Sequence, residues 1–379
     1  MKICFLSSEH PPQDKRVFDK EAVSLAAAGF EVVHLAPGDG REWVERGVRI
    51  VTYTKRRGLV ARVLQLPRLL RRARAIDADV YHCNEVDSWG AGVVLRLVWG
   101  KKCVFDVHEH YPSRFAESRF PEALHPAVAA LVRGVFRLFA HSTDRLVYAK
   151  RSVAGDFSRT GVPAVLVQNF AQRGVADAAS LKAAPTQDDD RLRLIHLGLI
   201  SKLRGWPQLL EAMAMPQASR TELLVVGEFN DGSLEEFRAR AQELDLSERV
   251  KIEEWMPFAQ AYERICRSHV GLVLFQPGIQ NHVFAMPHKM FDYMMAGLPI
   301  VVPEFAQEVA PIVQESECGF LVDSSSPLAI AQALAALADD PQLRRRMGER
   351  GRQAVFERYN WEAEAGKLVS MYRELEAAA

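Results

Sequence analysis

Cysteine is scarce in this chain of 379 residues: Cys4, Cys83, Cys103, Cys266 and Cys318 are odd in number and far apart. That spacing provides no zinc-ligand pair and no disulfide framework, and thiols lying mostly in apolar stretches fit reduced core residues of a cytosolic protein. Net charge is missing too, since Lys plus Arg and Asp plus Glu both number 48. This excludes a chain-wide polybasic nucleic-acid binder and an acidic solvating chain. The apolar start turns polar at Ser7, too soon for a signal-peptide core. No uninterrupted apolar run reaches the roughly 18 residues of a membrane span, so any membrane contact is expected to be peripheral. No strand candidate is followed by Gly-x-Gly-x-x-Gly, which argues against a nicotinamide dehydrogenase. With 48% apolar and 25% charged residues, the chain is neither disordered nor collagen-like and can bury the cores of two domains.

What is present is an alternation. Short apolar runs at 2–7, 31–36, 48–53, 79–83, 102–107, 144–148 and 164–168 predict strands with helical patterns between them. Runs such as Val32-Val33-His34-Leu35-Ala36 read as parallel strands buried on both faces, so the sheet should carry helices on both sides. The pattern stops in a stretch rich in small and charged residues, 173–190, which reads as a linker. A second series follows at 192–197, 222–227, 249–253, 270–275, 299–302 and 319–322. The expected fold is therefore α/β with two doubly wound domains, 1–172 and 191–357. A final segment, 358–379, carries Trp361, Leu368, Tyr372 and Leu375 on a helical period and needs a surface to cover. Sheets of this kind present loops at the carboxyl ends of their strands, and facing domains make a cleft there, the default ligand site.

Two loops in the second half could hold a nucleotide. After the apolar run ending at Gly198 come Lys202, Arg204 and Gly205, then an amphipathic helix. A guanidinium fork beside an ammonium suits a diphosphate, while solvated surface charge accounts for the same residues. In the run 281–302, Pro287 stands near a helix start and Gly297 near its end. Free N–H groups near Met286, His288 and Lys289 would attract a phosphate. Asp292, one turn in, could accept hydrogen bonds from ribose hydroxyls or simply complement the helix dipole. Phe284, Met286, Met290 and Met294 read as core packing. In the first half, His108 and Glu109 follow the strand 103–107 at a cleft-facing loop; bonding among Asp106, His108 and Glu109 is the plain alternative. His10, Asp14 and Arg16 form a similar cluster after the first strand, able to contact acceptor or diphosphate. Asp77-Ala-Asp79 and His108-Glu109-His110 have metal-like spacing. The first reads better as a turn, and adjacent residues of an extended segment point oppositely, so no metal is expected.

Taken together, several segments resemble the retaining glycosyltransferases of family four, or group 1. They are Gly198 through Gly205, Val225-Val226-Gly227-Glu228, Pro287-His288-Lys289-Met290-Phe291-Asp292-Tyr293-Met294 with Ala296-Gly297-Leu298-Pro299, and Tyr359-Asn360-Trp361-Glu362. Segments 10–37 and 105–112 resemble a bacterial polysaccharide-assembly branch of that family. The likeness spans essentially the whole chain and implies a GT-B fold, two Rossmann-like domains facing across a cleft. The acceptor would sit on the first domain and a nucleotide-sugar, a UDP-sugar, on the second, with the last helix crossing back. The resemblance assigns Lys202 and Arg204 to the diphosphate, Asp292 to ribose and His108 to the donor sugar or the reacting face. The catalytic set is then His108, Lys202 and Arg204. Gly198, Phe284, Met286, Pro287, His288, Lys289 and Asp292 are on the donor side, and His10, Asp14, Arg16 and Glu109 on the acceptor side. Family members carry a Glu, seven residues and a second Glu; here Asp292 takes the second place and Phe284 the first, which leaves the donor sugar open. The implied reaction moves a hexose or N-acetylhexosamine, with retention, to a glycan or lipid-linked acceptor and uses no cofactor or metal. In such a transfer the protein mainly stabilises the leaving diphosphate. A sugar-nucleotide epimerase and a non-catalytic nucleotide-sugar binder are the alternatives.

Arginines crowd the region 56–76: Arg56, Arg57, Arg62, Arg68, Arg71, Arg72 and Arg74. On a helix beginning near Pro67, Arg68, Arg71 and Arg72 share a face opposite Leu69, Leu70, Ala73 and Ile76, a basic amphipathic surface either solvated or in contact with anionic lipid or a lipid-diphosphate acceptor. Charge also separates by half. Residues 1–172 carry 26 basic and 18 acidic side chains, and 173–379 carry 22 and 30.

Overall fold

The computed structural model describes residues 1–55, 59–117, 119–174 and 191–378, with the backbone alone at 59–64. They divide into two compact units, Met1–Asn169 with Trp361–Ala379, and Phe170–Asn360. Most of the expected linker, from 175 to 190, and Arg56 and Arg57 lie outside the described residues, as does the side chain of Arg62.

The first unit is built on strands β1 (Lys2–Leu6), β2 (Glu31–Pro37), β3 (Glu42–Glu45), β4 (Val48–Tyr53), β5 (Val80–Cys83), β6 (Lys102–Val107), β7 (Arg145–Tyr148) and β8 (Ala164–Leu166). Among the described residues they form one sheet in the order β3-β4-β2-β1-β5-β6-β7-β8. Every pairing is parallel except the β3–β4 hairpin. Sequence pattern did not mark β3, because its four residues sit half-exposed on the sheet edge, where burial leaves little apolar signature. Its helices are α1 (Val23–Ala27), α2 (Leu59–Ile76), α3 (Val86–Trp99), α4 (Tyr111–Glu117) and α5 (His125–Ala140). Leu69, Ala73, Trp89, Leu95 and Phe136 from α2, α3 and α5 pack on one face of the sheet with Leu6, Tyr81, Cys83 and Phe105. The opposite face is covered by the 17–22 turn, α1 and a C-terminal helix, Trp361–Ala377.

Two expectations change here. The basic helix begins at Leu59, not near Pro67, and carries Pro67 in its interior. Packing of Leu69, Ala73 and Ile76 onto the sheet outweighs the one backbone hydrogen bond that the ring removes. Although no uninterrupted apolar run is long enough, the helical segment Glu122–Ala140 reaches the length and apolarity of a membrane span. Arg133 and Arg137 interrupt it, and it lies on the sheet through Phe136 and Ala140, with Phe136 edge-on to Trp89 and Trp89 stacked 4.0 Å from Phe105.

The second unit repeats the plan. Strands β9 (Leu192–Ile200), β10 (Thr221–Phe229), β11 (Val250–Glu253), β12 (Val270–Leu272), β13 (Ile300–Pro303) and β14 (Gly319–Val322) pair in parallel in the order β11-β10-β9-β12-β13-β14. Helices α6 (Trp206–Ala214), α7 (Leu234–Glu243), α8 (Phe258–Cys266), α9 (Gln280–Val283) and α10 (His288–Met295) follow in chain order, then Ala310–Ser316, Pro327–Asp339 and Pro341–Glu357. One face is closed by α8, α10 and Pro341–Glu357, the other by α6, α7 and Pro327–Asp339. Both units are thus doubly wound.

The C-terminal helix is integral to the first unit. Trp361, Leu368, Met371, Tyr372 and Leu375 are buried with Val17, Phe18 and Leu25. The Trp361 indole donates to Ser24 Oγ at 2.9 Å, and Tyr372 Oη lies 2.7 Å from His82 Nδ1. Trp361→Ala is expected to destabilise the first unit by about 3–5 kcal/mol, the usual cost of truncating a buried aromatic. Urea unfolding followed by circular dichroism measures it.

Candidate functional site

In the second sheet the chain runs outward from β9 to β10 and β11, then returns to β12 on the other side of β9. Loops at the carboxyl ends of β9 and β12 therefore part and leave a crevice. Two glycines shape its rim. Gly205 (φ 82°) ends the turn Lys202–Arg204 and caps α6; a Cβ there would stand 2.2 Å from the Leu274 carbonyl oxygen. At Gly227 (φ 147°) a Cβ would meet the Gly198 carbonyl oxygen at 2.0 Å, so the approach of β10 to β9 there depends on Gly227 having no side chain.

Basic groups converge at this crevice. The Arg204 guanidinium lies over the Phe275 ring, 5.3 Å from its centroid. His282 also stacks on Phe275, 4.8 Å between centroids, and is hydrogen-bonded through Nδ1 to the Gln276 carbonyl at 2.9 Å. Lys289, buried in the first turn of α10, has Nζ 3.2 Å from His196 Nε2. Burial lowers the pKa of Arg204. Burial, then repulsion by Arg204, holds Lys289 well below the ordinary lysine range. Burial and the neighbouring Lys289 push His196 far down, so it is neutral. Among the described residues neither Arg204 nor Lys289 has a carboxylate partner. Such a cluster is completed by an anion.

The remaining donor-side residues fall around it. Gly198 is half-buried near the carboxyl end of β9, with open space where a Cβ would stand. Pro287 caps α10, His288 opens it, and Asp292 is buried one turn further on. Met286 is buried before the cap, and Phe284 is the half-buried C-cap of α9. Lys202 is turned elsewhere: exposed, it pairs with Glu236, while its backbone N–H donates to Asp231 at 2.9 Å.

The first sheet switches direction between β1 and β5, and a pocket of about 230 Å³ opens at that end. Glu9, His10, Glu85, His108, Tyr111 and Arg114 are among its lining residues. The Glu85 carboxylate accepts N–H bonds from Ser8, Glu9 and His10 at 2.8–3.0 Å and a 2.7 Å bond from His10 Nδ1. Burial would raise the Glu85 pKa, yet His10 and these amides bring it down to about 2. Burial likewise opposes charge on His10, but Glu85, Asp14 and Asp106 outweigh it and raise its pKa to about 9. His10 is therefore an imidazolium at neutral pH, its ring edge-on to His108 at 4.9 Å.

His108 Nδ1 stands 3.7 Å from Asp106 Oδ2. Asp106 is itself gripped by both arms of Arg16, at 2.8 Å each. Arg16 is buried and also bonds Val167 O, Asn169 Oδ1 and Glu21, so it braces the pocket from within. Asp14 accepts from the backbone N–H groups of Arg16 and Val17, fixing the turn. Glu109 pairs with Arg114 at the rim. Buried Glu21, His82 and Asp106 bring ligand-type atoms within 4.8 Å of one another, but the Arg16 guanidinium bridges Glu21 and Asp106 at 2.9 and 2.8 Å. Glu85, His196, Phe275 and His282 carry no sequence mark of their own. A Glu three residues before a Ser at a strand-to-helix junction, a reversed capping box, was the one available signal.

Comparison with known proteins gives this geometry its context. The "Glycosyltransferase Family 4" model matches residues 16–171 and "Glycosyl transferases group 1" matches 177–354. D-inositol 3-phosphate glycosyltransferase of Corynebacterium glutamicum is 30% identical over 139 residues, 36% of this chain and 31% of that protein. MMP alpha-(1->4)-mannosyltransferase of Mycolicibacterium hassiacum is 25% identical over 174 residues, 45% and 40% of the two. The matched region is thus less than half of either relative. Sucrose-phosphate synthase from Thermosynechococcus elongatus shares the fold with a TM-score of 0.75 at 18% identity, over 100% of both chains. For Anabaena HepE in complex with UDP the values are 0.71 and 14%, again over 100% of both. WaaG, a glycosyltransferase involved in lipopolysaccharide biosynthesis, gives 0.68 and 16%, over 96% and 98%. With family models matching on both units and GT-B neighbours across its length, the chain belongs to the group 1 glycosyl transferases and has their two-domain α/β fold.

Proposed function

We propose that the chain transfers a hexose or N-acetylhexosamine from a UDP-sugar to a glycan or lipid-linked acceptor, with retention and without a metal ion, in cell-surface polysaccharide or glycoconjugate synthesis. The observation that carries this reading is the pair of half-buried Arg204 and buried Lys289, basic groups with no carboxylate partner among the described residues. A diphosphate supplies the missing charge. Anabaena HepE binds UDP, UDP with glucose, and UDP-glucose, which supports uridine as the base.

The chemistry follows from charge. The bond from the anomeric carbon to the diphosphate oxygen breaks as the acceptor oxygen bonds to the same face, and the acceptor proton passes to a diphosphate oxygen. Negative charge grows on the leaving group, where Arg204, Lys289 and the first-turn amides of α10 donate. Asp292 holds the ribose hydroxyls. The Phe284 side chain cannot accept hydrogen bonds from sugar hydroxyls as a carboxylate would. In the first unit His10, as a cation fixed by Glu85, and His108 face the acceptor or the transferred sugar. All five cysteines are buried free thiols, which supports a reducing, cytoplasmic compartment. Exposed Arg68, Arg71 and Arg72 on α2 support peripheral contact with an anionic membrane where a lipid-linked acceptor resides.

Arg204→Ala should lower kcat/KM by about 10²–10³-fold, the cost of losing one donor to transition-state charge. Near-normal turnover in a folded variant removes Arg204 from the mechanism. Transfer should survive chelation by EDTA, and proton NMR of the product should show the donor's anomeric configuration; inversion contradicts the reading, and conversion of donor without acceptor marks an epimerase. UDP binding should take up protons, because the anion raises the depressed pKa of Lys289. Affinity therefore falls as pH rises from the depressed value of the free protein towards the restored value of the complex. Calorimetry in two buffers of different ionisation enthalpy measures the uptake.

A further inference from the structure

The outward side of the α2–α3–α5 layer is not explained by the fold or by either pocket. Its inward side is complete, with Leu69, Ala73, Val93, Leu95, Phe136 and Ala140 buried on the sheet. Outward, Leu131 and Leu138 of α5 are 69% and 67% exposed, and Leu97, Val98 and Trp99 at the end of α3 are exposed as well. Less than a fifth of the apolar segment Glu122–Ala140 is buried. Scattered surface leucines need no explanation, but several on adjacent helices mark a surface that something covers.

Charge identifies what that is. Helices α2, α3 and α5 carry eight arginines and a single carboxylate, Asp87. The whole first unit has 28 basic and 22 acidic side chains, so without these helices it would have 20 and 21. Its entire positive surplus thus resides in this layer. Arg68, Arg71 and Arg137 are exposed and have no carboxylate partner among the described residues. Arg74 lies over Trp99, 5.7 Å from the ring centroid, joining the basic helix to the apolar patch. A second copy would set arginine against arginine. A spanning helix would have to carry Arg133 and Arg137 into lipid and pull Phe136 off the sheet.

We infer that the α2–α3–α5 face docks on an anionic bilayer, its arginines at the headgroups and the exposed side chains of α5 and the end of α3 entering the interface. The combination of apolar residues, tryptophan and arginine on one face is that of an interfacial, not a spanning, element. This rests on and deepens the peripheral membrane contact proposed above, moving it from α2 alone to three helices. It also gives that contact a use: α4 packs on α5 and supplies Tyr111, Arg114 and Phe115 to the first-unit pocket, so a lipid-linked acceptor held in the bilayer would lie beside it.

The test is flotation of the full chain with vesicles of phosphatidylcholine, alone and mixed with phosphatidylglycerol. The wild type should float only with the anionic vesicles. Leu131→Gln with Leu138→Gln should cut partitioning by at least ~10-fold, since each leucine forfeits its transfer from water, while thermal unfolding and slow hydrolysis of the donor stay as in the wild type. Arg68→Glu with Arg71→Glu should abolish binding at low salt. Leucine variants that float like the wild type, or a wild type that ignores anionic vesicles, overturn the inference. A concentration-dependent dimer in ultracentrifugation that the leucine variants lose overturns it too, in favour of a second copy. If vesicle binding behaves as stated while no UDP-sugar is turned over, the proposed reaction fails and the docking surface stands.

Discussion

A buried cation without a counter-charge is the constraint on which the site depends. Removing an ion from water costs several kcal/mol even after relaxation, and in most of this molecule the cost is met by pairing. In the first unit Arg16 is held by Asp106 and Glu21, and His10 by Glu85. In the second unit Arg204 and Lys289 instead face an aromatic ring and a neutral imidazole. The fold tolerates this because Lys289 can shed its proton, as its lowered pKa states, whereas the guanidinium of Arg204 cannot and keeps part of its surface towards the crevice. In the transfer proposed above, a diphosphate would supply the missing charge and have its leaving charge stabilised by the same groups, so that binding strengthens as the reaction advances.

The same contrast bears on the first unit's acidic cluster, where the Glu21 carboxylate and His82 Nε2 have no hydrogen-bond partner among the described residues. Three potential metal ligands converge there, but the guanidinium fork of Arg16 takes the centre, with Asp106 kept ionised well below its usual range and Glu21 pushed well above. For Asp106, burial acts against ionisation and the Arg16 charge prevails; for Glu21, burial prevails over the same arginine. The Arg16–Asp106 pair carries the two-armed contact, and Glu21 adds a single 2.9 Å contact to the same guanidinium. This braced core fixes β1, β6 and the 14–17 turn, and through them the height at which His10 and His108 meet.

How much of this was readable from sequence follows from where each signal resides. Parallel strands buried on both faces write continuous apolar runs, so all but the edge strand β3 could be placed, and the glycines and prolines around 198–205 and 287–297 marked the crevice. Lys202 and Arg204 looked equivalent on paper. They lie two apart in a three-residue-per-turn helix, which separates their side chains by about two-thirds of a turn; Arg204 consequently faces Phe275 while Lys202 faces Glu236. Pro67 looked like a helix start because proline favours that place, but packing of the following turns overrode it. His196 and Glu85 were silent for a different reason: each acts through a partner distant in sequence, Lys289 and the 8–10 turn, and no local pattern encodes such a meeting.

The balanced composition of the chain conceals two opposite uses of positive charge. The second unit is acidic on the whole, with 20 basic and 26 acidic side chains, so its proposed anion site would owe nothing to a surplus of cations. It owes its strength to burial, which removes the screening that would otherwise let surrounding carboxylates cancel it. In the first unit the surplus is exposed and collected on one helical layer, where screening is strong and each arginine counts for little. There the effect depends on number and on the apolar side chains between them. Depth suits the recognition of one small dianion at a fixed point, as proposed for the second unit, and breadth suits the proposed surface that would meet many weak headgroups at once.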